Sequence, residues 1–87
     1  MNRNNIYLEA VKGIPSDVKK ETEYTFAVSD AIHRIMMKQE LTQKELAKKM
    51  GKTETVVKGW LSGEHKFTLR TLAKLSVALG EDVIHFG

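Results

Sequence analysis

Between residues 42 and 80 the chain repeats one pattern three times: a threonine, a short set of apolar residues at helical intervals, and a glycine. Thr42 precedes Leu46, Ala47 and Met50, closed by Gly51. Thr53 precedes Val57, Trp60 and Leu61, closed by Gly63, and Thr68 precedes Leu69, Leu72, Ala73, Leu75 and Leu79, closed by Gly80. Intervals of three and four residues put each apolar set on one face of a helix. A hydroxyl at the front accepts a bond from an otherwise unpaired backbone N–H, and glycine at the back takes the left-handed conformation in which helices often end. Thr42 and Glu45 have the spacing of a capping box, with Leu41 as the apolar staple before it. Three short helices are therefore expected, the first two joined by a tight turn.

Upstream, Tyr24, Val28, Ile32, Ile35 and Met36 form the stripe of a longer helix that starts at Pro15 and ends near Gln39. Pro15 suits a first turn because its missing N–H is not needed there, and Asp17 and Glu21 favour the positive helix end. Phe26 and Met37 fall on another side, where the N-terminal apolar cluster or a second subunit could cover them. A shorter helix capped near Ser29 and Asp30 is the alternative. Residues 1–14 lack a helical period but hold Ile6, Tyr7, Leu8 and Val11 before the Gly13-Ile14-Pro15 break, which reads as an N-terminal arm. Residues 82–86, Asp-Val-Ile-His-Phe, are β-branched and aromatic with some alternation, so a short strand in need of a partner is expected there. The organisation expected is an arm over 1–14, a helical domain over 15–80 and an extended C-terminal segment over 81–87.

Composition narrows the function. Eighty-seven residues allow one core and one domain, and an apolar content of 41% is enough to fold it. No apolar run is long enough for a membrane span, Met1 to Asn5 are polar, and there is no cysteine. These features point to the cytoplasm and away from disulfides and thiolate metal sites. His33, His65 and His85 share no metal-ligand spacing, so neither a metal nor another cofactor is expected. No nucleophile–base pair, carboxylate pair or glycine-rich phosphate loop is evident, and the chain reads as non-enzymatic. The net charge is only +3, but seven Lys or Arg against three acids lie between Lys44 and Arg70. A basic half of this kind suits a phosphate backbone.

Two short helices around a Gly-containing turn make a helix-turn-helix, whose second helix enters the major groove of DNA. Residues 41–80, LTQKELAKKMGKTETVVKGWLSGEHKFTLRTLAKLSVALG, resemble the Cro/C1-type (XRE) helix-turn-helix family. The Thr42-to-Ala47 run, Gly51, the Trp60-to-Gly63 ending and the Leu69-to-Leu79 helix all fall at that family's spacing. The resemblance implies an all-α, four- to five-helix lambda-repressor-like domain that binds double-stranded DNA as a homodimer and represses transcription. A narrower resemblance, carried by His65 to Leu72 and the helix after Ile14-Pro15, is to HigA-like antitoxins, which implies a toxin protein as partner.

Projection assigns the candidate site residues. Thr53, Glu54, Thr55 and Lys58 lie in the first two turns of the reading helix, away from Val57 and Trp60, and are the candidates for base edges. Thr can bond either base or touch a thymine methyl, Lys can donate to guanine, and Glu can accept from cytosine N4. Lys44, Lys52, His65 and Lys66 sit at loop or helix-start positions and are the candidates for phosphates. Gln43 matches the family position that starts the second helix and contacts backbone or base. Lys48 and Lys49 read as a solvated face or as phosphate contacts, and Val56 as packing or a thymine contact. Trp60 reads as core. Two surfaces offer themselves for a two-fold dimer: the Val83-Ile84-His85-Phe86 segment as a paired edge, which is favoured, and Phe26 and Met37 with the arm. Two other classes compete with a DNA-binding regulator. One is an interaction module that has lost DNA binding, the other an RNA binder, which would need more exposed aromatic platforms than six aromatics provide.

Overall fold

The computed structural model describes residues 13–64 and 66–85, and four helices are formed among them. They are α1 (Ser16–Gln39), α2 (Gln43–Met50), α3 (Glu54–Ser62) and α4 (Leu69–Leu79). The Ile6-Tyr7-Leu8 cluster, His65 and Phe86 lie outside the described residues.

The three short helices begin and end as their sequences demand. Thr42 Oγ1 accepts from Glu45 N–H at 3.1 Å while Glu45 Oε1 accepts from Thr42 N–H at 2.9 Å, so the capping box is complete. Thr53 and Thr68 accept in the same way from Val56 and Thr71 N–H. Gly51 ends α2 at φ 65°, and the Lys52 N–H bonds back to the Ala47 carbonyl at 2.9 Å, which turns the chain sharply into α3. α1 ends differently. Its left-handed cap is Glu40, at φ 54°, a non-glycine where the conformation is disfavoured, held by bonds from Glu40 and Leu41 N–H to the Met37 and Met36 carbonyls.

The core is the meeting place of all four stripes: Val28, Ile32, Ile35 and Met36 of α1, Leu46 and Ala47 of α2, Val57 and Trp60 of α3, and Leu72, Leu75 and Leu79 of α4. Ile32, Leu46, Val57, Trp60 and Leu75 are fully buried. The core reading of Trp60 therefore holds, with only 1% of the residue exposed. A buried bond fixes α3 to α1: the Ser29 hydroxyl donates to the Trp60 carbonyl. Ser29 is thus an interior residue of one continuous helix and not the cap of a shorter one. The C-cap of α3 also meets α1, because Gly63, at φ 80°, lies under the Phe26 ring, 2.5 Å from where a Cβ would stand.

Three expectations need correction. Tyr24 is 65% exposed, because the short helices reach only the C-terminal half of α1 and leave its first three turns projecting past the core. Leu69 and Ala73 are exposed for a related reason: they line an open groove between α4 and the end of α2, where Lys49 and Met50 border it without closing it. No strand forms among the described residues of the C-terminal segment. Val83 instead turns inward and is buried in the core, and its N–H is bonded to Ser76 Oγ at 3.1 Å. A backbone used in this way presents no free edge at Val83. The segment is pinned by Lys38 Nζ to Glu81 Oε1 at 2.6 Å and by Gln39 Nε2 to the Leu79 carbonyl at 2.6 Å.

Candidate nucleic-acid interface

With Val57 and Trp60 turned into the core, the opposite face of α3 carries Thr55, Lys58 and Ser62 at three- and four-residue spacing, with Glu54 beside them. All four are exposed, as is the capping Thr53 at the head of the helix. The Ser62 hydroxyl donates to the Gly59 carbonyl at 3.1 Å, a back-bond within α3. Ser62 belongs to the outward face by position, and the periodicity that placed Thr55 and Lys58 there also places it seven residues after Thr55. Val56 is half-buried and packs against the core, which leaves less of it for an outward contact.

Around this face the lysines separate into groups. Gln43 is half-buried in the first turn of α2, where N–H groups point outward without helical partners, and Lys44 is exposed next to it. Lys48 follows Lys44 by one turn on the same side, and Lys52 stands exposed in the turn that leads into α3. Lys49 is directed elsewhere: it lines an open groove with Met50, Arg70 and Lys74, between α2 and α4. Lys66 is exposed but borders a third region, a groove that α1 lines with Asp17, Lys20, Glu21 and Tyr24. The fold therefore gathers Thr53, Glu54, Thr55 and Lys58 on one helix, adds Gln43, Lys44 and Lys52 from the adjoining helix and turn, and sets Lys66 toward the acidic first turns of α1. His65 lies outside the described residues.

Among the carboxylates of this region, Glu45 stands out. Its pKa is held below the usual carboxylate value, chiefly by the hydrogen bond from the Thr42 backbone N–H and then by the bond with the Thr42 side chain. The anion is the form that completes the cap of α2.

Two helices of eight and nine residues, a glycine turn between them, a long helix before and another after form a helix-turn-helix unit in its usual setting. A family model described as helix-turn-helix matches residues 32–86. The chain belongs to the Cro/C1-type helix-turn-helix family. The match begins inside α1 and runs through the whole helix-turn-helix and α4 into the C-terminal segment. Members of this family are DNA-binding proteins and not enzymes, so this helix-turn-helix domain is a DNA-binding one. Comparison with curated proteins and with solved structures returns no match. Among the described residues no helix of the domain is long and apolar enough to cross a membrane, and no group of His, Cys, Asp and Glu could hold a metal ion.

Proposed function

We propose that the domain is a transcriptional repressor that reads an operator through Thr53, Glu54, Thr55 and Lys58 in the major groove. Gln43, Lys44, Lys52, His65 and Lys66 are its candidate contacts to the DNA backbone. The observation that carries this reading is the outward face of α3, where two threonines, a lysine and a glutamate stand exposed on a helix whose other face is anchored by Val57 and Trp60. A rigid helix with short polar side chains on its free side can be brought close to base edges, and each of these residue types has a base partner. Glu54 gives the face discrimination, because a carboxylate near phosphates is repelled unless a cytosine N4 is there to receive it.

One helix of this length reads few base pairs, so the repressor acts as a two-fold dimer on a palindromic site with half-sites about 34 Å apart. The antitoxin form of this function, with a toxin protein as partner, rests on the resemblance of residues 65–72 and of the helix after Ile14-Pro15. Co-purification with the product of an adjacent small reading frame tests it.

The experiment for the reading face is selection of a preferred duplex from a random pool, followed by titration of variants on that duplex and on random DNA. Thr55→Ala and Lys58→Ala are expected to cost about 1 to 3 kcal/mol on the preferred site and little on random DNA. A Lys58→Ala protein that keeps the full preference for its operator would remove α3 from the role assigned to it. A wild-type protein that binds no duplex at low salt would favour the interaction-module reading instead.

A further inference from the structure

The side of α1 that faces away from the core carries a second pattern, which DNA reading does not use. Phe26, Asp30, His33 and Met37 follow one another at intervals of four, three and four residues. At 100° per residue these four side chains fall within one narrow stripe, the buried residues Val28, Ile32 and Ile35 occupy the opposite side of the helix, and the buried Ser29 and Met36 lie on its flank. All four are exposed, Phe26 and Met37 at 55% and 69%. The intervals read the same in both directions. A second α1 laid antiparallel on this stripe therefore places Phe26 against Met37 of the other copy and Asp30 against His33 of the other copy, each contact occurring twice.

From this symmetry we infer that the stripe is the contact between two copies of this chain, an antiparallel α1–α1 seam. The proposal rests on the two-fold dimer put forward above and names its surface. Charge complementarity selects the occupant and its direction. A parallel pair would set Asp30 against Asp30 and His33 against His33, whereas the antiparallel pair gives each carboxylate an imidazole to bond. The outer layers of the seam join an aromatic ring to a thioether, a favourable combination. Polar residues in the middle of a helix–helix seam fix its register, and apolar residues at its ends supply the attraction. Phe26, Asp30 and His33 themselves line an open cleft with Leu61 and Ser62 of α3, so the second helix approaches the stripe beside the C-terminal end of α3. Four side chains per copy make a small interface, so the seam is expected to close at concentrations on the order of tens of micromolar without DNA.

Sedimentation equilibrium of the full chain, without DNA, tests this directly, with thermal melting as the check on folding. The wild-type protein is expected to dimerise. Met37→Asp, which sets a carboxylate against Phe26 of the other copy at a position exposed in the single chain, is expected to be a folded monomer. Asp30→Arg is expected to weaken the dimer, and Asp30→Arg combined with His33→Glu to restore it, because the exchanged charges again face each other. A wild-type monomer at several hundred micromolar, a Met37→Asp protein that dimerises as tightly as wild type, or a double variant no tighter than Asp30→Arg would each overturn the seam. In the first case the stripe would be left to residues 1–12 or to a different protein. Titration of a single half-site duplex separates this from the DNA-reading proposal. Met37→Asp keeps that affinity and loses only the added tightness on a full palindrome, whereas failure of the reading face abolishes duplex preference in all variants and leaves the sedimentation results as they are.

Discussion

Ser29 carries a bond that decides how α3 is held. Its hydroxyl is buried and donates to the Trp60 carbonyl, so the helix proposed to read DNA is tied to α1 through its own backbone as well as through the Trp60 ring. Removing the hydroxyl leaves that buried carbonyl without this donor, which typically costs about 1 to 3 kcal/mol. Ser29→Ala is therefore expected to lower the stability read from urea unfolding by about that amount. Thr22→Ala in the same helix is the contrast. The Thr22 hydroxyl also bonds a carbonyl, that of Val18, but on the surface, where water replaces it, and the change should stay within about 0.5 kcal/mol. Equal losses in the two variants would show that the helix, and not the link to α3, is what the hydroxyl supports. Nothing in the sequence distinguished these two hydroxyls by themselves. Both are small polar residues in a helical stretch, and only the approach of α3 makes one of them internal.

At the scale of elements, the helices bounded by strong local chemistry were legible and their surroundings less so. The start of α2 follows from Thr42 and Glu45, its end from Gly51, and the bounds of α3 and α4 from their threonines and glycines, because each of these residues acts on backbone groups within four positions. Exposure is not local. Tyr24 and Leu69 continue the apolar stripes of their helices, yet both stay exposed in open grooves, Tyr24 in one that Leu72 of α4 also lines and Leu69 in one that Met50 of α2 also lines. The β-like composition of residues 82–86 misled for the same reason: Val83 is drawn into the core by burial, and Ser76 takes its N–H. Glu40 gave no signal as a left-handed cap, the position being imposed by the turn from α1 into α2. Local chemistry also gives a pH dependence. The Glu45 carboxylate is held below its usual pKa by the Thr42 N–H, and that of Glu81 by its bond with Lys38. A group whose folded pKa is lowered contributes stability that is fully present above its unfolded value, about 4.3 for glutamate, and is lost as pH falls through the folded value. The melting temperature is therefore expected to hold from neutral pH down to about 5 and to decline below it. Glu45→Gln should make the decline shallower while lowering stability at pH 7. A decline of unchanged depth would assign the acid sensitivity to other carboxylates.

For the whole molecule, affinity for DNA depends on where the positive charge meets the phosphates. The segment from Lys44 to Arg70 carries the positive excess of the chain, but the fold distributes its basic residues over three directions: Lys44, Lys48, Lys52 and Lys58 around α2 and α3, Lys49 and Arg70 in the groove along α4, and Lys66 toward α1. Each phosphate that a lysine neutralises releases condensed counterions, so the slope of log affinity against log salt counts such contacts, falling by roughly one for each contact removed. Lys44 and Lys52 stand in the first turn of α2 and in the turn before α3, beside the proposed reading face, with no acidic side chain bonded to either among the described residues. Lys66 borders a groove that Asp17, Lys20 and Glu21 of α1 also line, and the net negative charge of these three offsets part of its own. Lys44→Ala and Lys52→Ala are each expected to flatten the salt slope on random duplex by about one and to weaken binding to all sequences alike. Lys66→Ala should change the slope by less than either. Fluorescence anisotropy titrations between low and moderate salt would decide it, and a Lys66→Ala slope change as large as that of Lys52→Ala would mean that the path of the DNA backbone passes the α1 groove, and that α1 itself lies closer to the duplex than the reading face on α3 requires.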